Sequence, residues 1–194
     1  MHLDQQKIVT EISRWKAAVR DFSLPTWEEL PSIPLYMDQV VIFLGHCLAP
    51  HLEEKPLNAS TINNYVRTRM MPSPVKKKYF RLHLAYLIMI CTLRHGLSMT
   101  SLQRMLPLTL SESAFRELYN QYVAQHKIVS TSFMEQLSPL IGDPEADMPD
   151  GLRDQDMDSL IASTASVAIL SKLLTEQLIA LRHYETESKE PAGD

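Results

Sequence analysis

Apolar residues recur at helical spacing along most of this chain, and prolines cut the pattern into segments. Ile8, Ile12, Trp15 and Val19 mark a helix over 4–22, and Pro25, Pro31 and Pro34 then predict an extended strap around Trp27. Residues 36–49, YMDQVVIFLGHCLA, are apolar around much of their circumference and stop at Pro50, which predicts a largely buried helix followed by the loop HLEEKP. In 58–69, Asn58 stands where a helix cap belongs and Ile62, Tyr65, Val66 and Met70 share one face. That leaves Asn63, Asn64, Arg67 and Thr68 pointing outward. Pro72 and Pro74 lack an amide donor and disfavour helical geometry before them, so MPSPVKKKY predicts a short two-stranded turn.

Helical spacing resumes over 80–95 with Leu84, Leu87, Ile88 and Cys91; Gly96 is expected to close that helix, and Ser98 to cap a short one ending before Pro107. Two more helices are expected, over 111–126 (SESAFRELYNQYVAQH) and 152–184. In the second, Leu160, Val167, Leu174 and Leu181 repeat every seven residues, and Ile161, Leu170 and Leu178 widen the stripe. The expected class is therefore all-α, and a content of only 5 Gly in 194 residues agrees with it.

Charge changes the picture by its distribution. The net charge is -4, yet nine of the 19 Lys and Arg and none of the 23 Asp and Glu lie between Lys55 and Ser111. An acid-free segment beside an acidic remainder concentrates positive potential on one part of the molecule, as expected of a phosphate-binding module.

Other chemistries find little footing. The seven His fall at no ligand spacing with carboxylates or thiols, no catalytic motif or phosphate-binding glycine loop appears, and we expect no enzyme, metal or cofactor. The acidic run 142–158 places Pro149 at the third position of any calcium loop begun at Asp147, so it reads as a solvated linker. Cys47 and Cys91 sit in apolar runs and read as buried reduced thiols. The start, MHLDQQKIV, lacks a signal-peptide pattern, and the weakly charged stretch 159–171 is shorter than the roughly 20 apolar residues of a membrane span. A cytoplasmic location without membrane association is the expectation.

The run from Ile62 to Leu106 resembles the DNA-binding domain of MerR-type regulators, a winged helix-turn-helix. Asn58 stands at the cap, Tyr65 at the second tyrosine, Met70 and Met71 at paired leucines with Pro72 after them, Tyr79 at the last wing tyrosine, and GLSMTSLQRML fits the final helix. Departures are Asn63 for an arginine, Asn64 for a tyrosine, Arg69 for a glycine, a shorter wing and the longer HLEEKP loop. A wider stretch, about 25–125, from PLYMDQV through INNYV and PVKKKYF to HLAYL, also resembles the bacterial family known as domain of unknown function 1836. That second resemblance implies a bacterial source and no particular activity.

The first resemblance implies a MerR-like winged helix-turn-helix with a short β-hairpin wing at 34–107. An N-terminal helix and strap at 1–33, a helical region at 108–185 and a disordered tail at 186–194 complete the expected organisation. It also implies double-stranded DNA as the partner. Lys76, Lys77, Lys78 and Arg81 would then meet phosphates, Tyr79 reads as a core or hairpin packing residue whose hydroxyl reaches solvent or a phosphate, and Asn63, Asn64 and Arg67 carry the donor and acceptor patterns that read base edges. The stripe at 160–181 packs on the chain's own helix at 111–126 or joins two chains into a homodimer; the need for two half-sites favours the dimer. Target sequence and effector are not legible, and the rival function is a protein-interaction module on the same fold.

Overall fold

The structure, a computed structural model, describes residues 5–20, 22–48, 57–141 and 154–187. Among them are seven α-helices and, beyond isolated bridges, no β-strand: α1 Gln5–Arg20, α2 Met37–Cys47, α3 Ala59–Arg67, α4 Arg81–Leu93, α5 Met99–Met105, α6 Glu112–Ile141 and α7 Asp154–Glu187. The class is all-α, as the periodicity predicts. The HLEEKP loop, the linker up to Arg153 and the tail from Ser188 lie outside the described residues.

The caps explain why several helices start where they do. Asn58 Oδ1 accepts from the Thr61 amide at 2.9 Å, and Ser98 Oγ accepts from the Ser101 amide at 3.1 Å, as their positions predict. At α2 and α4 the third helical residue reaches back instead: Gln39 Oε1 accepts from the Tyr36 amide and His83 Nδ1 from the Phe80 amide. His83 is buried, and its Nε2 lies 3.1 Å from the Ser73 carbonyl, so its two ring nitrogens tie the start of α4 to the chain before the hairpin. Since Nδ1 accepts, the proton sits on Nε2 and donates to that carbonyl.

α4 is the centre of the molecule: every residue from His83 to Cys91 is buried. α6 packs against both α1 and α4. Tyr86 on α4 stacks on Phe115 of α6 with ring centroids 3.8 Å apart, and its hydroxyl donates to the Pro107 carbonyl. The proline-rich strap is clipped to α6 as well. Tyr119 Oη donates to the Pro25 carbonyl at 2.7 Å, the Trp27 amide donates to Asn120 Oδ1 at 2.9 Å, and Arg116 pairs with Glu28. One apolar cluster consequently runs from Leu24 to Val123.

Two regions depart from the periodicity. α6 continues to Ile141, well beyond the expected end at 126, through a stretch where Ile128, Val129 and Phe133 are exposed. α7 is one uninterrupted helix whose Met157–Arg182 portion, with mean hydropathy 1.4, is long and apolar enough by length and composition to cross a membrane. The weakly charged stretch 159–171 ends at Lys172, but the apolar character resumes beyond it in LLTEQLIAL, which is why the span is longer than expected. α7 touches α5, and Val167, Leu170, Leu174, Leu178 and Leu181 all remain exposed. The stripe is therefore not core against α6 within this chain.

Candidate nucleic-acid interface

The segment that holds the expected contacts begins with the α2–α3 pair and runs through a turn into α4. Ile62 and Tyr65 are buried, which turns Asn63 and Arg67 outward and exposes both. Asn64 is half-buried; its Oδ1 accepts from Arg67 Nη2 at 2.7 Å and so holds that guanidinium along the outward face. Tyr65 is a core residue whose hydroxyl accepts from Arg94 Nη1 at 3.2 Å.

α3 ends in an unusual way. Arg69 has φ 55, the Met70 amide donates to the Tyr65 carbonyl, and the Arg69 amide donates to the Val66 carbonyl. This is the helix stop in which glycine ordinarily occupies the left-handed position, here filled by an arginine. Met70 packs into the core beside Tyr65 and completes the motif.

The hairpin repeats that choice. Val75 and Lys78 exchange both backbone hydrogen bonds, at 3.1 and 3.0 Å, around Lys76 with φ 51 and Lys77 with φ 62. Two central residues with positive φ define the tight turn for which Asn-Gly is the usual sequence. A lysine in the left-handed region costs on the order of 1 kcal/mol. Both side chains are exposed, and Lys78 Nζ lies 5.4 Å from the centroid of the Tyr36 ring. A backbone bridge between Leu35 and Tyr79 fixes the hairpin's base to the end of the strap. The predicted two-stranded turn is thus present in its smallest form.

Tyr79 takes the packing place read for it from the sequence, and Arg81, an expected phosphate contact, makes its hydrogen bonds within the chain. Tyr79 is 2% exposed, because the bridge to Leu35 and the edge of the His83 ring enclose it. Arg81 bends back to the strap, donating from Nε to the Leu30 carbonyl at 3.0 Å and from Nη2 towards the Glu28 carbonyl at 3.4 Å. The structure leaves Asn63, Arg67, Lys76, Lys77 and, half-buried, Lys78 accessible, and it adds Arg69. In the sequence Arg69 stands out only as a departure from a glycine; a base where glycine belongs is the available signal. Among the described residues no carboxylate reaches ion-pair distance of these bases, as expected where the surrounding chain has no acids.

Among the described residues no second cluster of reactive groups forms. Burial pushes the thiols of Cys47 and Cys91 up to about 12 and about 11, which keeps them protonated and unreactive. No group of three or more His, Cys, Asp or Glu that could hold a metal forms among the described residues.

Fold and surface together define a small all-helical protein with an exposed basic hairpin beside a polar helix face in sequence. The chain belongs to the family described as domain of unknown function (DUF1836), whose model matches residues 25–123, the same stretch that the Leu24–Val123 core encloses. Searches of curated proteins and of solved structures found no match.

Proposed function

We propose that this chain is a cytoplasmic bacterial DNA-binding transcriptional regulator. In this reading α2 and α3 form a MerR-like helix-turn-helix, α3 presents Asn63, Asn64 and Arg67 to the major groove, and the Lys76–Lys77 turn is a wing that grips phosphate. One observation carries it: among the described residues, the non-glycine residues with positive φ are Arg69, Lys76 and Lys77, all basic and all exposed. Folding alone would favour Gly or Asn at each. Strain retained at three bases in an acid-free segment points to a use for their charge, and polyanion binding uses it directly. The order helix, helix, hairpin, helix, helix supports the likeness, as does the left-handed geometry at Arg69, where MerR-type domains carry glycine.

A homodimer through α7 belongs to the same proposal, since two linked domains bind two half-sites at high effective concentration. The rival reading, a protein-interaction module, has its own support in the apolar side chains at the strap and hairpin: Ile33, Tyr36, Val75 and Phe80 are all exposed.

Selection of bound sequences from random duplex DNA tests the proposal, with enrichment of one site as the expected result. On that duplex, changing Lys76, Lys77 and Lys78 together to Ala should lower the salt slope of log Kd by roughly 2 to 3, at about 0.9 for each phosphate no longer neutralised. An unchanged slope would remove the hairpin from the interface. Absence of affinity for any duplex at low salt would transfer the surface to a protein partner.

A further inference from the structure

We infer that His83 is a positioning residue for the lysine turn: its ring clasps the two limbs of the hairpin, and the grip of Lys76 and Lys77 on phosphate depends on that clasp. This rests on the duplex-binding reading above and adds the part that keeps the turn in its binding shape. The turn does not hold itself. Its own ladder is one pair of hydrogen bonds between Val75 and Lys78, and a hairpin that short has little stability alone. Lys76 and Lys77 add the strain of φ 51 and φ 62, and strain of that kind persists only where the surroundings over-determine it.

Each limb has its own anchor. The second limb is fixed where Tyr79 and Leu35 exchange backbone hydrogen bonds at 2.8 and 2.9 Å. The first limb starts from the buried Met71 and then contains Pro72 and Pro74, which have no amide to donate. Between those prolines His83 Nε2 donates to the Ser73 carbonyl at 3.1 Å. The other nitrogen of the same ring, Nδ1, accepts from the Phe80 amide at 3.0 Å, and the ring meets those of Tyr79 and Phe80 at centroid distances of 5.8 and 6.0 Å. One imidazole, 4% exposed, therefore touches the chain just before the turn and just after it.

Helix capping alone does not call for a histidine. At α2 the equivalent third position is the exposed Gln39, whose Oε1 accepts from the Tyr36 amide at 2.9 Å. Histidine differs in carrying, on a rigid ring, a second nitrogen that donates while the first accepts. At α4 that extra donor goes to Ser73, ten residues earlier and across the hairpin. Ser73 stands three residues before Lys76, about 10 Å along an extended limb. A swing of about 15° at the clasp would carry the turn through roughly 3 Å, enough to part a lysine from a phosphate oxygen at hydrogen-bond distance.

His83→Gln in the full chain separates the clasp from the cap, because glutamine at this position can accept from the Phe80 amide as Gln39 does from Tyr36. Amide exchange at Lys78, which donates across the turn, should become roughly five- to tenfold faster, while Leu84 in α4 stays within about twofold of wild type. Affinity for the selected duplex at low salt should fall by a similar factor, and the fall should vanish when Lys76, Lys77 and Lys78 are already Ala. A merely structural role would give the same loss in both backgrounds, and that result would overturn the inference. So would unchanged exchange at Lys78, or a turn that opens while affinity keeps its wild-type value. Wild-type protein without affinity for any duplex would overturn the inference together with the regulator reading, whereas a binding wild type matched by an unaffected variant overturns the inference alone. Should His83→Gln fail to fold, the wild-type chain decides by nuclear magnetic resonance. Saturation with duplex should slow solvent exchange of the His83 Nε2 proton about fivefold or more, and an unchanged rate would overturn the inference.

Discussion

A left-handed lysine is a choice between stability and charge, and it can be measured as such. Lys77→Gly relieves the positive φ, while glycine's greater freedom in the unfolded chain takes back part of the gain. The expected result is a protein more stable by about 0.5–1 kcal/mol in urea unfolding, with weaker binding to duplex DNA. Arg81 offers the opposite test. Its guanidinium serves the Leu30 and Glu28 carbonyls, so Arg81→Ala should lower stability by about 1–2 kcal/mol while the salt slope of DNA binding stays unchanged. A lowered slope would return Arg81 to the interface. Neither residue's role is legible in the chain, because Lys and Arg carry no turn propensity. Nothing local marks φ 51 or φ 62, and nothing local tells which base will fold back on a strap fifty residues away.

Elements are more legible, for identifiable reasons. Asn58 and Ser98 cap through their own side chains, and Pro72 and Pro74 keep the segment after α3 out of a helix, so the starts of α3 and α5 and the place of the hairpin follow from residue type, whereas the stop of α3 at Arg67, made by the left-handed Arg69, does not. Gly96 misleads in detail: α4 stops at Leu93 with Arg94 as its cap, and no left-handed glycine is used. α6 outruns its expected end because Ile128, Val129 and Phe133 do not lie on a buried face, so periodicity has no signal beyond His126. α3 carries the specificity prediction. Asn63→Ala or Arg67→Ala should cost about 1–3 kcal/mol on the selected site and little on random duplex, measured by competition at fixed salt. Equal losses on both would make α3 a positioning helix.

The molecule as a whole divides into a closed part and an open part. From Leu24 to Val123 the apolar side chains share one core, whereas Ile128, Val129 and Phe133 of α6 and Ile161, Val167, Ile169, Leu170, Leu173, Leu174, Leu178 and Leu181 of α7 are exposed. Changing Val167 and Leu174 together to Glu should therefore leave unfolding in urea within about 0.5 kcal/mol for a surface position. The same variant should sediment as a monomer and bind a two-half-site duplex with the affinity of one domain. Unfolding would show instead that α7 is needed to hold the chain together. Crossing a bilayer would bury Lys172 and Glu176 at a cost of about 2.5–3.5 kcal/mol for a charge such as lysine near the centre, which weighs against that use of α7.

The bridge between Leu35 and Tyr79 gives the strap a mechanical part to play. One end of that strap is bolted to α6 through Pro25, Trp27 and Glu28, and the other forms the footing of the lysine turn. Pro31 and Pro34 stiffen the span between them by fixing φ. Arg81 holds the middle of that span to the start of α4 through the Leu30 and Glu28 carbonyls, so the strap acts as a brace that joins α6, α4 and the footing of the two lysines into one frame.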